Sequence, residues 1–204
     1  NPLNIVKEGL IKFFEKYENT YYKDIVSKVA IYCGNIENLE ENIYPFVSEF
    51  VAKKGLNPNE VILKYHGGNK KYSLPKENEL EFLSLNTALS KKRIILLVGI
   101  GKEGWDCSSL TGVILSQKGD CPTKMVLQTA CRCLRQVIKG EKETAIIYLN
   151  KENEKLLSSQ LNKTQNATLQ DFQNGTKTED TISRYSRMKY LNIPNIEYYK
   201  LNIK

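Results

Sequence analysis

Residues Arg93 to Val98 read RIILLV, an unbroken apolar run bracketed by charge on one side and glycine on the other. A strand with one wet face alternates apolar and polar residues. This one does not, so it predicts a strand covered on both faces, the situation of a parallel sheet flanked by helices. Gly99, Gly101 and Gly104 break the run, and Gly112 to Ser116, GVILS, reads as the next strand. Asp120, Pro122 and Thr123 are residues that start helices, and the apolar positions Val126, Leu127 and Ala130 follow them. That helix is predicted to run to Gln136. It would carry Gln128, Arg132 and Arg135 at i, i+4 and i+7, on one stripe. Two guanidinium forks side by side match phosphate oxygens. A solvated basic face is the plainer alternative.

Two phosphate-binding fingerprints pass through the same glycines. A Walker A loop with Gly101 and Lys102 as its Gly-Lys pair would need glycine at Leu96 and serine or threonine at Glu103, so that loop is absent. A dinucleotide fingerprint at Gly99, Gly101 and Gly104 has the right spacing. However, only WDCSSLT separates it from the next strand, too little for the helix that a parallel crossover needs.

The segments GKEGWDCSSLTGVIL and QTACRCLR resemble motifs V and VI of superfamily 2 helicases, in the form found in restriction subunits of type III restriction enzymes. There motif V usually reads EGWD followed by a strand, and motif VI reads Q-x-x-G-R-x-x-R. Cys131 stands where the family usually has glycine, and Leu134 where many relatives have a second one. Upstream, KVAIYCG (Lys28 to Gly34) resembles the motif IV strand, followed by a helical stretch from Asn38 to Lys54. VILKYHGG (Val61 to Gly68) resembles the strand and HG turn that come next, and Glu77 to Leu89 reads as an amphipathic helix. The resemblance covers about residues 28 to 150. It implies an α/β, RecA-like lobe of the P-loop NTPase type, with a mostly parallel sheet and helices on both faces, and the alternation of strands and helices agrees.

The resemblance further implies the second motor lobe of an ATP-dependent DNA helicase or translocase, within a hydrolase such as a type III restriction endonuclease. Arg135 would be the arginine finger and Arg132 its partner on the γ-phosphate, the kind of group worth roughly three to five powers of ten in rate in related hydrolases. Gln128 would orient the arginines or reach the nucleotide. Asp106 would accept from ribose or from an arginine, with a turn or cap role equally open, and Gly104 would let the backbone approach the nucleotide. DNA would meet the strand tips through Gly34, Asn35, His66, Gly67, Gly99 and Lys102. For His66, a histidine satisfied within its own turn is the stronger alternative, and Trp105 reads as a packing anchor. ATP and Mg2+ would be held mainly by the first RecA-like lobe of the same polypeptide, which would supply the Walker A loop, so the isolated fragment is expected to be inactive. DNA, that first lobe and a DNA methyltransferase (modification) subunit are the implied partners.

Composition fits these expectations. Over 204 residues the net charge is +7, which favours a polyanion. No apolar run approaches a membrane span, and a cytoplasmic protein is expected. Five cysteines, Cys33, Cys107, Cys121, Cys131 and Cys133, form no CxxC pair, so no metal site is expected and reduced thiols are. The opening Asn1 reads as the start of an excised piece. Residues 1 to 150 are assigned to an N-terminal helix, with Ile5, Leu10, Phe13, Phe14 and Tyr17 on its apolar face, plus the lobe. Residues 151 to 204 are assigned to a helical extension, in which 162 to 178 is loop or short helix and SRYSRMKYLNIP is a basic aromatic segment. No nuclease constellation appears. The other functions weighed are a non-enzymatic nucleic-acid-binding scaffold with a helicase-like fold and a dinucleotide-binding module.

Overall fold

A computed structural model describes residues 1–99, 105–134, 143–165 and 167–174. In chain order it has α1 (Pro2–Tyr17), the two-residue strands β1 (Tyr21–Tyr22) and β2 (Ile25–Val26), β3 (Lys28–Tyr32), α2 (Ile36–Asn38), α3 (Tyr44–Lys53), α4 (Pro58–Val61), β4 (Ile62–Tyr65), α5 (Lys76–Leu83), β5 (Ile94–Leu97), β6 (Leu110–Leu115), α6 (Val126–Ala130), β7 (Ile146–Leu149), α7 (Lys151–Gln165) and α8 (Leu169–Asn174). β1 and β2 form a small antiparallel hairpin whose tight turn holds Lys23 and Asp24 at positive φ. The remaining five strands form one sheet in the order β4-β5-β3-β6-β7, with every pairing parallel. The α/β expectation is borne out: a parallel sheet flanked by helices, as in a RecA-like lobe.

Register assigns the residues to faces. Val29 and Ile31 of β3 share a face with Ile94 and Leu96 of β5, Ile62 of β4 and Ile114 of β6. They form one apolar cluster with Val6, Leu10, Phe13 and Phe14 of α1 and Val47 and Val51 of α3. α1 lies close against β6 because residue 9 is glycine: a Cβ there would sit 2.7 Å from Ile114 Cδ1. The opposite face presents Tyr65, Ile95, Leu97, Ala30, Tyr32, Val113 and Leu115. There α5 packs on β4, α6 on β6, and α7 on β7 and α6. Right-handed crossovers explain the division. β3 to β4 moves toward one edge of the sheet through α3, while β4 to β5 and β6 to β7 move the other way through α5 and α6, which must therefore lie on the other face.

Three helical expectations are corrected. The stretch predicted from Asn38 to Lys54 is α2, a π-helical segment Leu39–Ile43 and α3. Pro45 enters one residue into α3; it has no N–H and its ring clashes with the carbonyl four residues back, so the backbone before it widens. The helix predicted over Glu77 to Leu89 stops at Leu83, where Ser84 Oγ donates to Glu81 O and Thr87 Oγ1 to Ser84 O, hydroxyl contacts that compete with the helical ladder. It is also less amphipathic than predicted. Phe82 is its buried residue, while Leu80 and Leu83 face solvent.

The arginine helix differs most. It is a 3₁₀ turn at Thr123–Met125, then the five residues of α6, then a second 3₁₀ turn at Cys131–Cys133 that closes with Leu134 N donating to Cys131 O. Cysteine is a poor helix former, and the Cys133 thiol donates back to Ala130 O at 3.2 Å. A 3₁₀ turn has three residues per turn, so the single stripe drawn for a regular helix does not carry through Arg132. Arg135 and Gln136 lie outside the described residues.

The chain divides into two compact units, Asn1–Leu169 and Gln170–Lys204. α7 belongs to the first, where Leu157 and Leu161 are buried. The basic aromatic segment SRYSRMKYLNIP lies outside the described residues. Among the described residues no helix is long and apolar enough to cross a membrane, and no group of His, Cys, Asp or Glu is arranged to hold a metal ion.

Candidate nucleic-acid and nucleotide site

Because all five strands run parallel, their C-terminal ends share one rim, the edge where α/β sheets bind ligands. On the adjacent strands β4, β5, β3 and β6 the turn that follows contains a glycine at positive φ: Gly68 at 73°, Gly99 at 67°, Gly34 at 75° and Gly119 at 93°. Only glycine adopts this conformation without a Cβ penalty. No atom of the described residues would meet a Cβ on Gly67 or Gly99 within 4 Å, whereas a Cβ on Gly34 would sit 3.1 Å from Gly119 O, so the β3 and β6 turns meet at the rim.

Four of the predicted strand-tip residues can be placed in detail. Asn35 Oδ1 accepts from Asn38 N at 2.7 Å and caps α2, and Asn38 Nδ2 donates to Cys33 O, which fixes the turn at Gly34. His66 is buried. Its Nδ1 accepts from Gly68 N at 3.1 Å, which leaves the proton on Nε2 to point at Glu40 Oε1, 3.2 Å away. Both ring nitrogens are therefore committed inside the turn, and what the turn turns outward is the backbone at Gly67. Glu40 also accepts from Lys64 Nζ at 2.8 Å, and Glu41 from Lys71 Nζ and Tyr72 Oη, so these two acidic side chains are paired with cations, while Glu37 accepts from Asn69 Nδ2. Those two partners hold the Glu41 carboxyl below its usual range. Lys70 and Lys118 are exposed along the same edge. Lys102 lies outside the described residues.

A second cluster forms on the sheet face under α5 and α6. Arg132 Nη1 donates to Trp105 O at 2.9 Å, so the arginine segment and the Gly-Trp-Asp turn meet. Asn86 holds the other side of that turn: its Nδ2 donates to Asp106 O at 2.9 Å, and its Oδ1 accepts from Ser108 N and Ser108 Oγ. The Asp106 side chain is exposed and so is Gln128. The Trp105 ring stacks on Phe82 with centroids 5.4 Å apart, and Phe82 stacks on Tyr65 at 3.8 Å and 7°. Trp105 is a packing residue, as its solitary place in the sequence suggested. Gly104 and Arg135 lie outside the described residues, as do Gly101 and the rest of the dinucleotide-like glycine run after Gly99.

Two groups in this region escaped the sequence reading. Tyr32 ends β3, and its hydroxyl is buried with no hydrogen-bond partner among the described residues. Burial raises its pKa to about 12, against the nearby Arg132 charge that lowers it. Asp120 was expected to start the arginine helix. Its Oδ2 instead accepts from Ser116 N at 2.6 Å, Ser116 Oγ at 3.0 Å and Gln117 N at 2.9 Å, closing the turn after β6. Its other oxygen is buried with no partner among the described residues. Burial outweighs these hydrogen bonds and raises the carboxyl to about 6. The start of α6 is capped from a distance: Gln160 Oε1 accepts from Leu127 N at 2.8 Å, and Gln160 Nε2 donates to Thr123 O. No local pattern signals either arrangement, since a turn-closing aspartate and a helix-starting one look alike in sequence.

All five cysteines are free thiols, and burial raises each pKa, that of Cys133 to about 12. They remain protonated at neutral pH and act as small apolar groups. No protein-family model matches the chain, and a search of curated proteins finds no significant match.

Proposed function

We propose that the chain is the second motor lobe of an ATP-dependent DNA helicase or translocase of the type III restriction kind, in which the glycine rim meets the DNA backbone and the arginine segment completes a nucleotide site. The observation that carries this reading is the hydrogen bond from Arg132 to Trp105 O. It joins the two segments with the motif resemblance, as expected if they work as one site. The rim supports the reading independently. A row of turns with glycine in the left-handed region presents backbone amides to a phosphate chain without reading its sequence, and the net charge of +7 favours that partner.

Mechanistically, ATP held by a first lobe would draw this lobe toward it. Arg135 and Arg132 would then neutralise charge on the transferred phosphoryl group, and hydrolysis would release the closure. ATP and Mg2+ would reside mainly on the first lobe, and a modification methyltransferase would be a further partner. The test is DNA-stimulated ATP hydrolysis by the polypeptide that joins this chain to a Walker A lobe. Arg135→Ala is expected to lower turnover by about a thousandfold with ATP binding retained. Unchanged turnover removes the arginine finger from the mechanism.

One observation favours a second reading, a nucleic-acid-binding scaffold without hydrolysis. The bond to Trp105 O gives Arg132 a structural role within its own lobe. If the joined polypeptide binds DNA but hydrolyses no ATP, the scaffold is the function.

A further inference from the structure

α5 touches both candidate clusters, and each contact is specific. At its first turn Asn78 Nδ2 donates to Lys64 O of β4 at 2.9 Å, one residue before the end of that strand. Just beyond its last turn Asn86 grips the backbone of the Trp105–Ser108 turn from both sides, donating to Asp106 O and accepting from Ser108 N. Between the two clamps Phe82 is sandwiched, against Tyr65 at 3.8 Å and 7° and against Trp105 at 5.4 Å and 24°. Tyr65 is the last residue of β4 and precedes His66 and Gly67 of the rim. Trp105 O receives the Arg132 guanidinium. An uninterrupted line of contacts therefore runs from the β4 tip through three aromatic rings to the arginine.

We propose that Phe82 and Asn86 are positioning residues that couple the β4 tip to the Gly-Trp-Asp turn, so that nucleic acid bound at the rim shifts Trp105 and with it the seat of Arg132. The inference rests on the reading of the rim as a nucleic-acid face and adds how occupancy there is reported to the nucleotide side. Stacked rings suit this task. They slide and tilt with little loss of contact area but do not separate freely, so a tilt of the Tyr65 ring displaces its neighbours. The Asn78 and Asn86 clamps keep α5 from absorbing that displacement by moving away from the sheet. Contiguous contact does not by itself establish coupling, which is read as a linkage between the two ends.

Trp105 is the only tryptophan in the chain, which makes the linkage visible in the full 204-residue protein. Two quantities are read: binding of a fluorescein-labelled oligothymidylate by anisotropy, and acrylamide quenching of Trp105 with and without saturating unlabelled oligothymidylate. Wild type is expected to bind and to change its quenching on binding. Phe82→Tyr, which keeps the ring, is expected to do the same. Phe82→Leu and Asn86→Ala are expected to bind within about twofold of wild type, as for changes remote from the rim, and to lose the quenching response. Asn86 is exposed, so its variant decides the matter if Phe82→Leu does not fold. Binding with no Trp105 response in wild type overturns the coupling and leaves the rim reading intact. A response that survives in Asn86→Ala and in folded Phe82→Leu also overturns it, because the nucleic acid would then act on Trp105 directly. Absence of binding in wild type defeats the rim reading and the coupling together.

Discussion

The two faces of the sheet use the same strands for different ends. Under α1 and α3 the cluster is dry and apolar, with Phe13 and Phe14 in edge-to-face contact, and the polar tip of Tyr17 reaches out of it to donate to Thr144 O. Under α5 and α6, and along the rim beside them, the protein buries a tyrosine hydroxyl and one carboxylate oxygen without partners among the described residues, and half-buries an arginine against a backbone carbonyl. Unpaired buried polar atoms cost stability; Ser48 Oγ of α3 is one on the first side, so the two sides differ in kind, a small hydroxyl against a phenol and a carboxylate. The first face holds the fold. The second holds the chemistry-bearing side chains in place at some cost.

Substitutions can break this contrast. The largest effect is expected on the dry face: Phe13→Ala should lose about 3 to 5 kcal/mol in urea denaturation. A loss well below 1 kcal/mol would mean that the α1 face is not the stabilising one. On the other side, Asp120 gives a pH-dependent effect. Its folded pKa of about 6 lies above the ordinary 3.8, so the folded state binds the proton more tightly than the unfolded chain does. Asp120 therefore makes stability fall as pH rises from about 4 to about 6, by about 2 kcal/mol. Subtracting the urea midpoints of Asp120→Asn from those of wild type across that range isolates the step, and a flat difference would remove the cost assigned to this carboxylate. The smallest effect belongs to Gln160→Ala, which removes the distant cap of α6 and should cost about 1 kcal/mol. Hydrogen exchange at the Leu127 amide should quicken with it, and an unchanged rate would show that α6 is held by packing alone.

Sequence made the sheet legible because its strands are buried on both faces. RIILLV, GVILS and KVAIYCG have no alternation to confuse with a helix period, and glycine or charge marks their ends. The α1 face was legible for the related reason that Leu10, Phe13, Phe14 and Tyr17 keep helical spacing through sixteen unbroken residues. The helices on the functional side were not. The α6 segment reads as regular from spacing alone, yet its two ends are 3₁₀ and its cap comes from Gln160 in another helix. Asp120 illustrates the same limit, since its role depends on whether its carboxylate turns forward to a helix or back to β6, and it turns back to β6. Gly34, Gly67 and Gly99 could be named one at a time from sequence and Gly119 was missed, and the alignment of the rim turns depends on strand order, which is non-local.

That strand order also has a consequence in time. Of the strands in this sheet β3 is the first to leave the ribosome, but it ends in the middle of the sheet, and both of its neighbours, β5 and β6, are made later. Until Leu97 is synthesised β3 has no partner on either side, and until Leu115 one of its edges is open. Segments of this kind are the ones that associate wrongly between nascent chains or call on chaperones. The order that places Gly34 between the other rim turns thus makes β3 the strand that waits longest, from its own synthesis to that of β6, for both of its partners.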